Sequence, residues 1–333
     1  MTAKKTFNIV LIAGLDCGLK TYRFFKKKKF INLLATYCLS PKNGKNIAGY
    51  VDTLKENKDQ NIYYYKKNVN EITKKIKKFK DVDLIIAVGI SDIIKKDLLN
   101  ISKIGILGTH AAKLPERPGC APIIWAILDK LTETEMTLFK MSEKIDLGPI
   151  YCKKKIFINS DTTATDLRRE MDDAIIELLE KHLLNILTHK NQGKVVKGKR
   201  NYTRKRGIRD GALNLSMSAE EILCKVRALA TPYPGAHFYT GDGKAIIIEK
   251  AKLGGKELSY KGSGKNNYKN ILCVVAHPDD EALGAGGTLI KHATYGDTVN
   301  IVILSKGEDA KRSSQDKNTK RLENAQNWSE IAG

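Results

Sequence analysis

From Phe7 to about Gly108, short unbroken apolar runs alternate with lysine-rich or helix-periodic stretches, and few folds can bury such runs. Asn8-Ile-Val-Leu-Ile-Ala13 reads as a first strand, Ile31-Asn-Leu-Leu-Ala-Thr-Tyr-Cys38 as a second and Val82-Asp-Leu-Ile-Ile-Ala-Val88 as a later one. A strand apolar at nearly every position needs cover on both faces, so the alternation predicts an α/β fold with a mostly parallel sheet between layers of helix. Residues 70–80 have a helical period with lysines outward and predict a crossover helix. Gly14-Leu-Asp-Cys-Gly18 lacks the glycine spacing of a dinucleotide fingerprint and reads as an ordinary strand-to-helix turn.

Residues 163–187 predict a long helix, capped by Asp161 or Thr162, with Leu167, Met171, Ile175, Leu178 and Leu179 as its apolar stripe. A basic connector over 194–209 leads to a small unit, 211–253, with a helix near 219–228 and strands near 236–239 and 245–249. The following stretch, rich in Gly, Ser, Lys and Asn, reads as a linker. The expected division is 1–190, 191–253, a linker over 254–268 and a last region over 269–333.

The net charge of +21 raises nucleic acid as a partner, because Lys and Arg neutralise phosphates. Only 11 of the 58 basic residues are Arg, leaving 58 − 11 = 47 Lys. Phosphate-reading sites favour the planar fork of Arg, so we weigh an anionic small substrate above RNA. The 6 cysteines are widely spaced without a C-x-x-C pair and read as reduced packing groups. No apolar run reaches the ~20 residues of a membrane span. Met1-Thr-Ala-Lys-Lys is not followed by a long apolar segment, so the expected compartment is the cytoplasm, with no membrane partner.

Ile104-Gly-Ile-Leu-Gly-Thr-His110 ends a short strand on a histidine, and Leu114-Pro-Glu-Arg-Pro-Gly-Cys-Ala-Pro122 forms a stiff loop before a helix over 123–128. Asp146 follows 36 residues after His110. An imidazole and a carboxylate over the carboxyl edge of one sheet can together manage the proton of an attacking amine. A lone histidine at a strand end is more often a packed core residue.

The order of several motifs decides between these readings. Leu84-Ile-Ile-Ala-Val-Gly89, the His110 loop with Leu114-Pro115 and Ala121-Pro122, Trp125-Ala-Ile-Leu128, Glu133-Thr-Glu-Met-Thr-Leu138 and Asp146-Leu-Gly148 come in succession. Tyr202-Thr-Arg-Lys-Arg206 and Pro232-Tyr-Pro-Gly-Ala236 follow. Over 7–253 the chain resembles the 10-formyltetrahydrofolate-dependent formyltransferases, which include methionyl-tRNA formyltransferase and the amino-sugar N-formyltransferases. The resemblance implies a Rossmann-like catalytic domain, a small C-terminal α+β or β subdomain, and His110 with Asp146 as the catalytic pair. It implies 10-formyltetrahydrofolate as co-substrate, held near Ile90, Ser91, Ile93, Leu114, Met141 and Ile145. Two positions depart from the family pattern. Gly108 stands where an Asn donor to the formyl oxygen is usual, and Pro118 stands where an Arg precedes the glycine.

The acceptor is read as a nucleotide-linked amino sugar. Initiator methionyl-tRNA is the alternative, but the segment Leu-Ser-Pro-Lys-Asn-Gly-Lys-Asn-Ile-Ala-Gly-Tyr50 after the second strand carries no Arg. A non-catalytic fragment that binds folate or sugar nucleotide is a further alternative. The run 194–209 can meet a pyrophosphate, although a solvated linker is the commoner meaning of such a run.

Ile271-Leu-Cys-Val-Val-Ala-His-Pro-Asp-Asp-Glu281 sets one imidazole and three carboxylates where an apolar strand runs out. His277 with Asp280 suits Zn²⁺, and Asp279 can take a proton from metal-bound water. The run 271–291 resembles the LmbE-like zinc-dependent N-acetyl-sugar deacetylases, which implies His277 and Asp280 as metal ligands and Asp279 as general base. That family takes a third ligand, a His, from far downstream, and the one later histidine here is His292. The last region is therefore expected to be a partial α/β domain with weakly held zinc and no deacetylase activity of its own. A second chain that completes it is an expected partner, and a homodimer is among the expected assemblies.

Overall fold

Each predicted apolar run becomes a strand whose alternate residues enter different cores. Ile9, Leu11, Leu84, Ile86 and Val88 belong to one buried cluster, and Val10, Ile12, Ile85 and Ala87 to another. Successive side chains of a strand point to opposite faces, so the sheet is covered on both sides. The structure is a computed structural model that describes residues 5–45, 47–52, 61–214, 216–239, 244–252, 270–275, 285–294 and 298–303. The chain forms two units, residues 1–253 and residues 254–333.

In the first unit the elements run β1 (Phe7–Ala13), α1 (Leu15–Lys26), β2 (Ile31–Leu39), α2 (Pro41–Gly44), β3 (Ile62–Tyr65), α3 (Thr73–Ile76) and β4 (Leu84–Val88). They continue with α4 (Lys96–Leu99), β5 (Ile106–His110), α5 (Pro122–Leu128), β6 (Glu133–Lys140), β7 (Ile150–Phe157), α6 (Ala164–Leu187), α7 (Ala219–Ala228), β8 (Ala236–Tyr239) and β9 (Ala245–Ile248). Seven strands form one sheet in the order β3-β2-β1-β4-β5-β6-β7. The first five pair in parallel, whereas β6 and β7 are antiparallel. β8 and β9 form a separate antiparallel hairpin. The mostly parallel sheet matches the expectation; the two antiparallel strands at its edge were not read from the sequence.

Two local expectations are corrected. The helix predicted over 70–80 is a 3₁₀ turn at Val69–Ile72 followed by α3, which ends at Ile76. Asn68 and Glu71 cap this short element, and Ile72 and Ile76 are its buried anchors. Beyond them Phe79 N–H bonds back to the Ile76 carbonyl at 3.0 Å, and Asp81 turns the chain away at φ 56°. The cap of α6 is Thr163, because Asp166 three residues later returns its hydrogen bond, while Thr162 closes a turn with Asn159.

Helix α6 buries Asp172, which is 7% exposed. Burial raises its carboxyl to about 6, opposed by Arg168 and Lys20 and reinforced by Asp16 and Asp173. A carboxyl raised on folding binds its proton more tightly in the folded state. It therefore costs nothing below pH ~4, lowers stability as pH rises towards ~6, and keeps that cost above. Asp172→Asn is expected to stabilise the protein at pH 7.5 by on the order of 2 kcal/mol, and to change nothing at pH 4. Calorimetry at both pH values checks this, and a lower melting temperature than wild type at pH 7.5 would contradict it.

In the second unit β10 (Asn270–Val275) pairs in parallel with β11 (Thr298–Ile303), and α8 (Gly286–Thr294) lies between them in sequence. This is the strand-helix-strand start expected of an α/β domain. The predicted linker lies outside the described residues.

Candidate active site

His110 is the last residue of β5, 7% exposed, at the carboxyl edge of the parallel strands. Ligands of open α/β sheets gather at that edge. The chain then turns away and is pinned by Thr137 on β6, whose hydroxyl donates to the Ala112 carbonyl at 2.9 Å. Lys153 on β7 donates to the Leu114 carbonyl and pairs with Glu135 at 2.9 Å. These contacts fold the 114–119 loop back over the histidine.

The loop supplies two backbone partners. His110 Nε2 lies 3.0 Å from the Arg117 carbonyl, and Gly119 N–H donates to Asp146 Oδ2 at 3.0 Å. A carbonyl only accepts, so Nε2 carries a proton and Nδ1 is left to face Asp146. The Nδ1 to Oδ2 distance is 3.6 Å, too long for a hydrogen bond and short enough for an imidazolium to meet a carboxylate. Arg117 itself is held outside the site by an ion pair with Asp129. Gly119 adopts φ +118°, and a Cβ there would sit 2.3 Å from the Thr203 carbonyl. The basic connector thus lies against the active loop: Thr203 N–H donates to the Pro118 carbonyl at 2.9 Å and Cys120 N–H to the Thr203 carbonyl at 3.0 Å.

The structure brings His110 and Asp146 together as the sequence suggested. Of the residues assigned to folate, Ile93 and Ile145 are large apolar side chains 63% and 51% exposed. Ser91 is exposed, and Ile90 and Met141 are half-buried. Leu114 packs under the loop against Phe139 and Ile150, so its side chain supports the loop. A Cβ on Gly108 would come within 2.9 Å of Met141 Cγ and Sδ, so Met141 fills the place a side chain at 108 would take. Arg117, Gly119, Thr203 and Lys153 were missed. Arg117 and Gly119 act through backbone atoms, which carry no side-chain signature, and Thr203 adds to its backbone bonds a hydroxyl that donates to the Cys120 carbonyl at 2.8 Å.

His277, Asp279 and Asp280 lie outside the described residues, and His292 is on α8. Among the described residues no three His, Cys, Asp or Glu side chains gather to hold a metal ion. Also among them, no helix is long and apolar enough to cross a membrane.

Residues 42–183 match the Formyl transferase family and residues 208–284 the family described as Formyl transferase, C-terminal domain. A methionyl-tRNA formyltransferase from Pelagibacter ubique is 34% identical over 226 residues, which cover 67% of each chain. The chain belongs to the formyltransferase family. This formyltransferase is also 34% identical over 214 residues to the bifunctional polymyxin resistance protein ArnA of Wigglesworthia glossinidia brevipalpis, covering 63% of the chain. The match spans 32% of that relative's length. A solved N-formyltransferase from Helicobacter canadensis, in complex with folinic acid and dTDP-3-aminofucose, shares the fold at a TM-score of 0.53 and 18% identity. That likeness covers 67% of this chain and 80% of the other. Residues 272–333 of the formyltransferase match the GlcNAc-PI de-N-acetylase family, so the two families follow one another in one chain.

Proposed function

We propose that the chain transfers the formyl group of 10-formyltetrahydrofolate to the amine of a nucleotide-linked amino sugar. The observation that carries the chemistry is His110 Nδ1 facing Asp146 across 3.6 Å, with Nε2–H tied to the Arg117 carbonyl. The amine nitrogen attacks the formyl carbon, and the bond from that carbon to the folate nitrogen breaks. Nδ1 takes the proton lost by the amine, the resulting imidazolium is balanced by Asp146, and the same proton passes to the departing folate nitrogen. Holding both reactants at one edge, with charge already placed for the tetrahedral stage, supplies most of the acceleration. Exposed Ile93 and Ile145 suit the flat ring of the folate.

The sugar reading is supported by the Helicobacter canadensis fold relative, which holds a folate and a dTDP-amino sugar, and by the lysine-dominated charge. The methionyl-tRNA reading stays as the second one because the Pelagibacter ubique relative carries that activity in its name. Release of tetrahydrofolate is to be followed with dTDP- and UDP-linked amino sugars and with methionyl-tRNA. Turnover with a sugar is expected; turnover with tRNA alone overturns the substrate, and turnover with neither overturns the function. For the de-N-acetylase region, His277, Asp280 and Asp279 remain the residues proposed from the sequence for zinc and for the base.

Gly108 supplies no side-chain donor to the formyl oxygen, leaving a backbone N–H or Thr109 for that task. Gly108→Asn combined with Met141→Ala, which clears the space, is expected to raise kcat at least 10-fold over Met141→Ala alone, since one oxyanion donor is worth roughly 10²–10³. An unchanged kcat would mean that another donor already serves.

A further inference from the structure

His110, Thr137 and Lys153 stand in one row across the antiparallel edge of the sheet. His110 pairs with Thr137 between β5 and β6, and Thr137 pairs with Lys153 between β6 and β7. Residues directly opposite one another in a sheet point to the same face, so the imidazole, the hydroxyl and the ammonium share one side of it. Glu135, two residues before Thr137 on β6, points to that side as well.

The loop that follows His110 lies along this row. Thr137 donates to the Ala112 carbonyl at 2.9 Å, and Lys153 donates to the Leu114 carbonyl two residues on. Arg117 N–H then bonds at 2.9 Å to the carbonyl between them, that of Lys113. This bond closes the turn that brings the Arg117 carbonyl to His110 Nε2 at 3.0 Å and, next along the chain, Gly119 N–H to Asp146. The backbone at 112–114 therefore sets where both partners of the catalytic pair stand. Of the two side chains that hold it, Thr137 makes a neutral hydrogen bond and Lys153 a charge-assisted one, which is roughly twice as strong. Glu135 aims the ammonium from 2.9 Å, with the two side chains only 28% and 17% exposed.

We infer that Lys153 is a positioning residue for the formyl transfer: by holding the Leu114 carbonyl it fixes the turn that keeps the ring proton of His110 on Nε2 and leaves Nδ1 as the base. The kinetic side of this inference rests on the formyl-transfer reading above, whereas the effect on the ring rests on the hydrogen bonds alone. Without the ammonium the loop moves off the row, the Arg117 carbonyl leaves Nε2, and the proton is shared between the two ring nitrogens. A ring with its proton on Nδ1 donates it to Asp146 and offers the amine no lone pair at that nitrogen.

Lys153→Met alone would strand the Glu135 carboxylate, so the change is made on a Glu135→Gln background. Against that background kcat is expected to fall about 10–10²-fold, the scale of a displacement of about 1 Å between reacting groups. KM for the folate co-substrate is expected to stay within about three-fold, because Ile93 is held from elsewhere, by Asn70, which donates to its carbonyl at 2.9 Å. Lys153→Arg on the same background keeps a donor for Leu114 and is expected to return kcat to within about five-fold. The ring is read by ¹⁵N NMR below the first unfolding transition, with His110 assigned from the signals missing in His110→Asn. A proton on Nε2 is expected in the wild type and the background, and a mixture in the Met variant. A kcat within about three-fold of the background would overturn the inference, and so would a ring proton that stays on Nε2 in the Met variant. If the wild type releases no tetrahydrofolate with any acceptor, the formyl-transfer reading falls, and the ring measurement decides the positioning role by itself.

Discussion

His110→Asn is expected to lower kcat by about 10²–10⁴-fold, the range that a positioned acid-base group contributes. Asparagine cannot take the amine proton, and its shorter amide stops short of the Arg117 carbonyl that His110 Nε2 meets at 3.0 Å, so the loop also loses a partner. Asp146→Asn is the informative companion. Its amide oxygen can still accept from Gly119 N–H, now at 3.0 Å to Asp146 Oδ2, so the loop stays anchored while the imidazolium loses its counter-charge. A loss of roughly 10²-fold is expected there, with KM for the folate little changed. The two effects are not expected to add, because both residues act on one proton. Single-turnover release of tetrahydrofolate measures them, with thermal melts to show that folding is intact. A loss of less than five-fold in His110→Asn would exclude it as the proton carrier.

The largest stability effect is expected at the junction of β1 and β4. Gly89 has φ +65°, and a Cβ there would lie 2.2 Å from the Gly14 carbonyl oxygen and 2.7 Å from Cys17 Sγ. The approach is mutual, since a Cβ on Gly14 would lie 2.0 Å from the Gly89 oxygen. The backbone there has little room to yield, because Gly14 N–H is bonded to the Val88 carbonyl at 2.8 Å at the carboxyl end of the central β1–β4 pair. Gly89→Val adds backbone strain of about 1–3 kcal/mol to the displacement of packed backbone, so a loss of about 3 kcal/mol or more is expected. For a unit of this size that is roughly 6–12 °C in melting temperature. Gly207→Ala is the control, since nothing lies within 4 Å of a Cβ there. Equal melting temperatures for the two variants would refute the packing argument.

Strands β1, β2, β4 and β5 and helices α5, α6 and α7 were legible because an apolar run, or an apolar stripe with a capping residue, is a local signal. Strands β6 and β7 were not. Lys153, Lys154 and Lys155 sit in β7, and such a run reads as solvent-facing. Lys155 pairs with Glu133 and Lys153 with Glu135 across the β6–β7 ladder, while Lys154 reaches Glu177 on α6. The pattern becomes a strand only when its partner is known, and lysines are a common guard on an edge strand.

The α/β class, the family and the pair His110 and Asp146 were already present in the order of residue types, because buried runs and reactive side chains are properties of those types. Three features of the site came from folding alone: which nitrogen of His110 carries the proton, what holds Asp146 and what occupies the space beside Gly108. Those depend on the Arg117 carbonyl, the Gly119 N–H and the path of Met141. Every residue but proline has the same backbone donor and acceptor, so their use is set by where the chain folds and by nothing in the side chains.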